Sequence, residues 1–142
     1  MVPPSSQHPF NDFAISTPEE EENLGMEQQP VTRVTLDRLV LASSLTVGHI
    51  EVRRISIAPD VLPGVHWHNG PVFGVIERGS VHFKVGEGDE RVLRAGDTFF
   101  EPGNETINRF DATHEGVTFL GWFPLPIETN PELTMGEMPS TL

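Results

Sequence analysis

Two histidines stand one residue apart, at His66 and His68, in the stretch GVHWHNGPVFGVIERGSVHF. In an extended strand, residues i and i+2 point to the same face, so the two imidazoles lie about 7 Å apart along the strand and can converge on one metal ion. Neutral imidazole suits iron, nickel, copper or zinc better than magnesium or calcium. Without a metal, the same pair can move protons near neutral pH. Two inward imidazoles are costly to bury without a partner, which argues that they are used. Trp67 between them must point away, toward packing or a subunit contact. The remaining histidines read differently. His8, His49 and His114 stand alone, as hydrogen-bonding side chains do. His82 falls in SVHFKV, where Val81, Phe83 and Val85 take the core face and leave His82 and Lys84 on the polar one.

The elements that must position the pair are strands. VTRVTL, LTVGHIEVRRISI, PVFGVIE, SVHFKV, ERVLR, DTFFE, TINRF and VTFLGWF are rich in Val, Ile, Thr and Phe and often alternate. Turn signals separate them: APDVLPG, ERG, GEGDE, RAGD and EPGNE. Turns spaced about 8–12 residues apart predict an antiparallel sandwich or barrel, and no segment predicts a long amphipathic helix. Trp122, Phe119 and Phe123 read as core and edge packing. The glycines of GEGDE could cradle phosphate only beside a helix N-terminus or a lysine, so a hairpin turn is the expectation there.

The chain has 142 residues, enough for one domain with a real core, and a net charge of −12. That charge sits mostly at the ends. Residues 1–30 hold six acids and no Lys or Arg, and the stretch from Pro124 adds three more acids, whereas the middle balances nine basic residues against twelve acids. Three parts follow: a flexible acidic arm over 1–30, a barrel over 31–123, and a Pro-rich tail over 124–142. Within the arm, TPEEEEN could start a short helix with Thr17 as N-cap, although a solvated acidic run is the simpler reading. An acidic chain without a basic stripe is not expected to bind nucleic acid or an anionic membrane. No apolar run approaches the roughly 20 residues of a membrane span, and no secretory signal is evident. With no cysteine there is neither a disulfide framework nor thiolate chemistry. A cytoplasmic protein is the expectation.

A strand with His-x-His, followed by Gly, and a second strand pair entered by Gly-Asp and left by Pro-Gly, resembles the cupin superfamily over roughly residues 45–123. The resemblance implies a small, often dimeric, antiparallel jelly-roll barrel with a pocket in its mouth. His66, His68 and Gly79 match the first cupin motif, and Gly96, Asp97 and Pro102 match the second. The departures are as informative. Val72 stands where the family has its glutamate ligand, and Phe73 fills the alternative spacing. Ile107 stands at the third histidine, Asn104 at a glycine and Asp111 at an asparagine. Two ligands are therefore retained and two are aliphatic, while a stable divalent site usually takes three or four. Glu101, at the barrel mouth by analogy, is the best substitute donor. Asn108 (were a bulge to turn it inward) and Asp111 are further candidates.

Two functions follow from the resemblance. One is a cupin-type enzyme acting on a small organic molecule, with His66 and His68 as metal ligands or, metal-free, as acid–base groups partnered by Glu101. Isomerase, cyclase, dehydratase or oxygenase chemistry would suit it. Val72, Phe73, Ile76, Phe99 and Ile107, with Asn108, would line an apolar pocket. The other is a non-catalytic binding or sensing barrel that has lost its metal. A homodimer is expected in either case, since pairing would cover the edge strands of an open barrel.

Overall fold

Strands account for every regular element among residues 30–139, the part of the chain that the computed structural model describes. They are β1 (His49–Ile57), β2 (His66–His68), β3 (Val72–Val85), β4 (Arg91–Arg94), β5 (Thr98–Glu101), β6 (Ile107–Leu125) and β7 (Leu133–Met135). Every pairing is antiparallel. The sheet runs β4-β3-β6-β2-β7, with β1 paired to β6 and β5 paired to β3. No helix of the described residues is long and apolar enough to cross a membrane. The chain divides into two units, Met1–Arg38 and Leu39–Leu142, and all seven strands belong to the second. Of the first unit, residues 30–38 carry neither helix nor strand. The helix start at Thr17, and nearly all of the arm expected over 1–30, lie outside the described residues.

The sequence pattern divides the two longest strands where the structure does not. PVFGVIE and SVHFKV join as β3, and TINRF and VTFLGWF join as β6. The residues between them form irregularities in a continuous ladder, with register shifts between Ile76 and Arg78 and between Gly79 and Val81. Such bulges bend a strand and change which residues face inward. Accordingly Val72 and Ile76 point to the core before the bend, and Val81 and Phe83 after it. On β6 the same switch separates Phe110 and Ala112 from Val117, Phe119 and Phe123. GEGDE forms the expected hairpin turn, closed by the Gly88 N–H donating to the Val85 carbonyl at 2.9 Å.

VTRVTL forms no strand, and Val34 and Leu36 in it are 79% and 69% exposed. Alternation supplies only propensity; a strand also needs a neighbour to pair with. The first strand thus begins at His49, β6 runs on to Leu125, and β7 lies inside the Pro-rich tail, where it pairs with the histidine strand β2.

The core is aromatic. Phe83, Phe99, Phe110 and Phe119 are buried, with ring centroids 4.8–6.0 Å apart in edge-on and tilted contacts. Edge-to-face pairs of this kind contribute about 0.5–1.5 kcal/mol each beyond the area they bury. Gly79 sits at the bend with φ of 75°, facing Gly116 with φ of 73° on β6. A Cβ at Gly79 would collide with the Gly116 carbonyl oxygen. Gly79→Ala is therefore expected to lower unfolding stability by about 1–3 kcal/mol, read as a reduced urea midpoint with an unchanged slope. An unchanged midpoint would show that the bend can open at no cost.

Candidate metal and ligand site

His66 and His68 reach one face of the barrel mouth because β2 is held from both sides. β7 pairs with all three of its residues, and β6 pairs with His66 through Ile107. The two rings lie 5.0 Å apart, nearly perpendicular at 86°. His66 is buried, and its Nδ1 sits 2.9 Å from the Gly64 carbonyl oxygen. A carbonyl can only accept, so Nδ1 carries the hydrogen and Nε2 keeps its lone pair for a cation or a proton. Gly64 brings that carbonyl round with φ of 98°, a conformation glycine adopts freely.

The third group is Glu101, on β5. It is 3% exposed, and its Oε1 lies 3.0 Å from His68 Nε2. A bare carboxylate and a bare imidazole nitrogen repel at that distance, so a proton or a cation must lie between them. Ligating atoms of His66, His68 and Glu101 all lie within 4.8 Å of one another. Metal–ligand bonds of about 2.1 Å place neighbouring donors about 3–3.5 Å apart, so small side-chain rotations bring the three around one ion. The donor set, two imidazoles and a carboxylate, fits a first-row transition metal.

Register explains how Glu101 arrives. Val72, at the cupin glutamate position, is the direct cross-strand partner of Glu101, and Ile107, at the missing histidine, is the partner of His66. Opposed residues share a face, with Cβ atoms about 4.5–5.5 Å apart. The carboxylate therefore stands one strand over from its usual position, on the same inward face. The RAGD turn locks this register. The Gly96 N–H donates to the Ile76 carbonyl at 2.8 Å, the Ile76 N–H to the Asp97 carbonyl at 2.9 Å, and the Arg94 N–H to Asp97 Oδ2 at 2.8 Å. Beyond Glu101 the chain turns at Pro102, and the Asn104 N–H donates to the His68 carbonyl at 2.8 Å. Asn104 adopts φ of 58°, which asparagine tolerates, so it can stand in for the motif glycine.

The three groups sit at the wall of a cavity of about 240 Å³ whose other lining residues, among those described, are all apolar. Of the residues expected there, Val72 and Phe99 line it. Phe73, Ile76, Ile107 and Asn108 do not, and each has a reason. Phe73 falls on the outward parity of β3, where its ring meets Phe100 at 5.1 Å. Ile76 and Ile107 are 1% and 0% exposed, packed into the core rather than against the cavity. A register shift does occur at Asn108, between the pairs Lys84–Arg109 and Val85–Ile107, but its side chain stays away from the cavity, with Oδ1 buried and unpartnered. Asp111 lies outside the His66–His68–Glu101 cluster and the cavity lining, and its Oδ2 accepts a 2.8 Å hydrogen bond from Arg109 Nε.

The rest of the wall comes from Ile55 and Ile57 of β1, Pro63, Leu133 of β7, and Phe110, Phe119 and Phe123 of β6. The alternating Ile55 and Ile57 were visible as strand residues, and Phe119 and Phe123 as packing. Nothing in the sequence singled out Leu133. Other expectations agree with the contacts: His49 Nε2 hydrogen-bonds the Thr129 carbonyl at 2.7 Å, and His82 faces Glu90 at 4.0 Å on the outer surface.

No family model matches the chain, and no curated protein matches it. Solved structures do. The DMSP lyase DddQ from Ruegeria pomeroyi DSS-3 is 18% identical with a TM-score of 0.52, over 58% of this chain and 42% of that one. An oxalate oxidase in complex with the substrate analogue glycolate is 20% identical with a TM-score of 0.52, over 61% of this chain and 45% of the oxidase. An uncharacterized protein with a double-stranded β-helix domain from Klebsiella pneumoniae is 17% identical with a TM-score of 0.50, over 65% and 80%. The chain spans less than half the length of the first two. These are cupin-fold proteins, and the protein described here has the cupin fold. At such identities the likeness is one of fold.

The hydrogen bond from His66 to Gly64 makes a testable statement about the site itself. Nitrogen chemical shifts are expected to show His66 protonated at Nδ1 with Nε2 bare. Gly64→Ala, which strains the φ of 98°, is expected to blur that preference at a stability cost of about 1–3 kcal/mol. The same tautomer in both proteins would remove Gly64 from its positioning role.

Proposed function

We propose that this chain is a cupin-type enzyme in which His66, His68 and Glu101 hold a divalent transition metal and a small organic molecule is turned over in the adjoining cavity. The observation that carries the reading is the convergence of three donors within 4.8 Å, two of them buried, at an apolar cavity. Burying a carboxylate costs several kcal/mol unless it is paired, so its place beside two imidazoles calls for a proton or a cation. A metal bound there would supply Lewis acidity or oxygen activation. The chain's own groups would do the rest. Gly64 would hold the His66 tautomer that leaves Nε2 free as a donor, and Glu101 would supply the anionic donor beside His68 Nε2. The apolar walls would exclude water and strengthen each polar contact. Isomerisation, cyclisation, dehydration and oxygenation all remain within reach of this arrangement.

Val72 and Ile107 favour a second reading. Aliphatic side chains at two ligand positions would also mark a barrel that works without a metal, with the histidines as acid–base groups or simple pocket lining.

Elemental analysis of purified, untagged protein separates the two. Near-stoichiometric iron, nickel, copper or zinc is expected in the native protein and none in the variant with His66 and His68 both replaced by Ala. Glu101→Val is expected to weaken metal binding by at least about tenfold. The paired change Val72→Glu with Glu101→Val, which moves the carboxylate to the opposite strand of the same pair, is expected to restore much of it. No metal in any of these proteins, even after reconstitution, would leave the metal-free reading standing. Metal held equally well with and without Glu101 would remove that residue from the site.

A further inference from the structure

The cavity itself limits what can occupy it. A water molecule's share of the liquid is about 30 Å³, so 240 Å³ accommodates about eight non-hydrogen atoms. Apolar cavities of only about 150 Å³ stay dry and take up benzene. Apart from His66, His68 and Glu101, every described lining residue is apolar: among the described residues no Lys, Arg, Ser, Thr, Asn or Gln contributes to the wall. Arg53 approaches the Phe123 ring at 5.1 Å, but it is ion-paired with Glu51 and does not line the cavity. A ligand with several charged groups would therefore meet a buried carboxylate and no Lys or Arg among the described residues.

What the wall does offer is aromatic surface. Phe99, Phe110 and Phe119 contact one another at 4.8–5.6 Å, and Phe123 adds a fourth ring 6.3 Å from His68. Rings set at angles to one another present both faces and edges to a flat guest, the geometry that aromatic pairs prefer. Polarity is confined to one side, where His68 and Glu101 can receive a single oxygen function. Leu133, 54% exposed on β7, reaches the cavity from the surface and so marks its mouth.

Building on the active-site reading above, we propose that the cavity takes an uncharged, single-ring aromatic molecule bearing one oxygen function, of the phenol or aryl alcohol class. The ring lies among Phe99, Phe110, Phe119 and Phe123, and the oxygen faces His68 and Glu101. The recognition is by shape and dryness along the ring and by one polar contact at its end.

Phenol binding, followed by ligand-observed NMR and calorimetry, tests this on the protein as purified and again after chelator treatment. In the chelator-treated protein, where no metal can capture a dianion, phenol is expected to bind at least tenfold more tightly than the dianion oxalate. Its affinity is expected to fall about tenfold in Leu133→Trp, which narrows the mouth from an exposed strand. The same fall is expected in Ile57→Phe, which adds a ring to the wall. Both variants are to be compared with the native protein by circular dichroism, so that only folded protein is scored. Oxalate binding the chelator-treated protein as well as phenol does would overturn the proposal, and so would phenol affinity unchanged in both variants. The metal reading fails or stands apart from this: phenol bound to metal-free protein keeps the ligand class while removing the metal, and metal without phenol binding does the reverse.

Discussion

A buried carboxylate held 3.0 Å from a histidine nitrogen is the contact around which this barrel is arranged. Such a pair does little for stability, because the penalty for taking both groups out of water roughly matches what their attraction returns. Apolar residues in those positions would pack as well. Breaking the pair from one side, however, leaves an uncompensated group in a dry wall. The surrounding structure must therefore hold Glu101 and His68 together whatever else varies, and the hydrogen bonds of the RAGD turn and of Asn104 to His68 do so from both ends of β5.

The same economy shows in the core. Phe99, Phe110 and Phe119 belong to the central aromatic cluster and also form the wall of the cavity. The packing that stabilises the barrel is thus continuous with the surface a ligand would touch. Close-packed interiors deform little, so a cavity built from them keeps its shape. The bend at Gly79 and Gly116 makes this possible. It lets β3 and β6 run on as continuous strands while switching which residues face inward, so that both halves of each strand serve one core.

Much of this was legible in the residues. The alternation of β3, β5 and β6, the hairpin at GEGDE and the inward pair at His66 and His68 all follow from period-two patterning and turn chemistry. The two long strands were not legible as such, because a bulge and a turn have the same signature of glycine and polar residues. VTRVTL misled for the opposite reason: its pattern is right for a strand, but pairing is a property of the neighbour. The cavity lining divided along the same line. Phe73 could have been excluded by parity with Val72, whereas Leu133 comes from a three-residue strand that no local pattern marks.

The amino-acid sequence by itself determined that two imidazoles share a face, since i and i+2 spacing does so in any strand. The bend was not determined in this way, because the approach of Gly79 to Gly116 exists only once β3 and β6 have paired. The resemblance already named Glu101 as the best substitute donor; tertiary structure decided that its carboxylate meets His68. Glu101 lies far along the chain from His68, and nothing local specifies that β5 should lie beside β3 with Glu101 opposite Val72. Register is set by which whole strands pair and by the turns that lock them, and a slip of one residue would have turned Glu101 out to solvent.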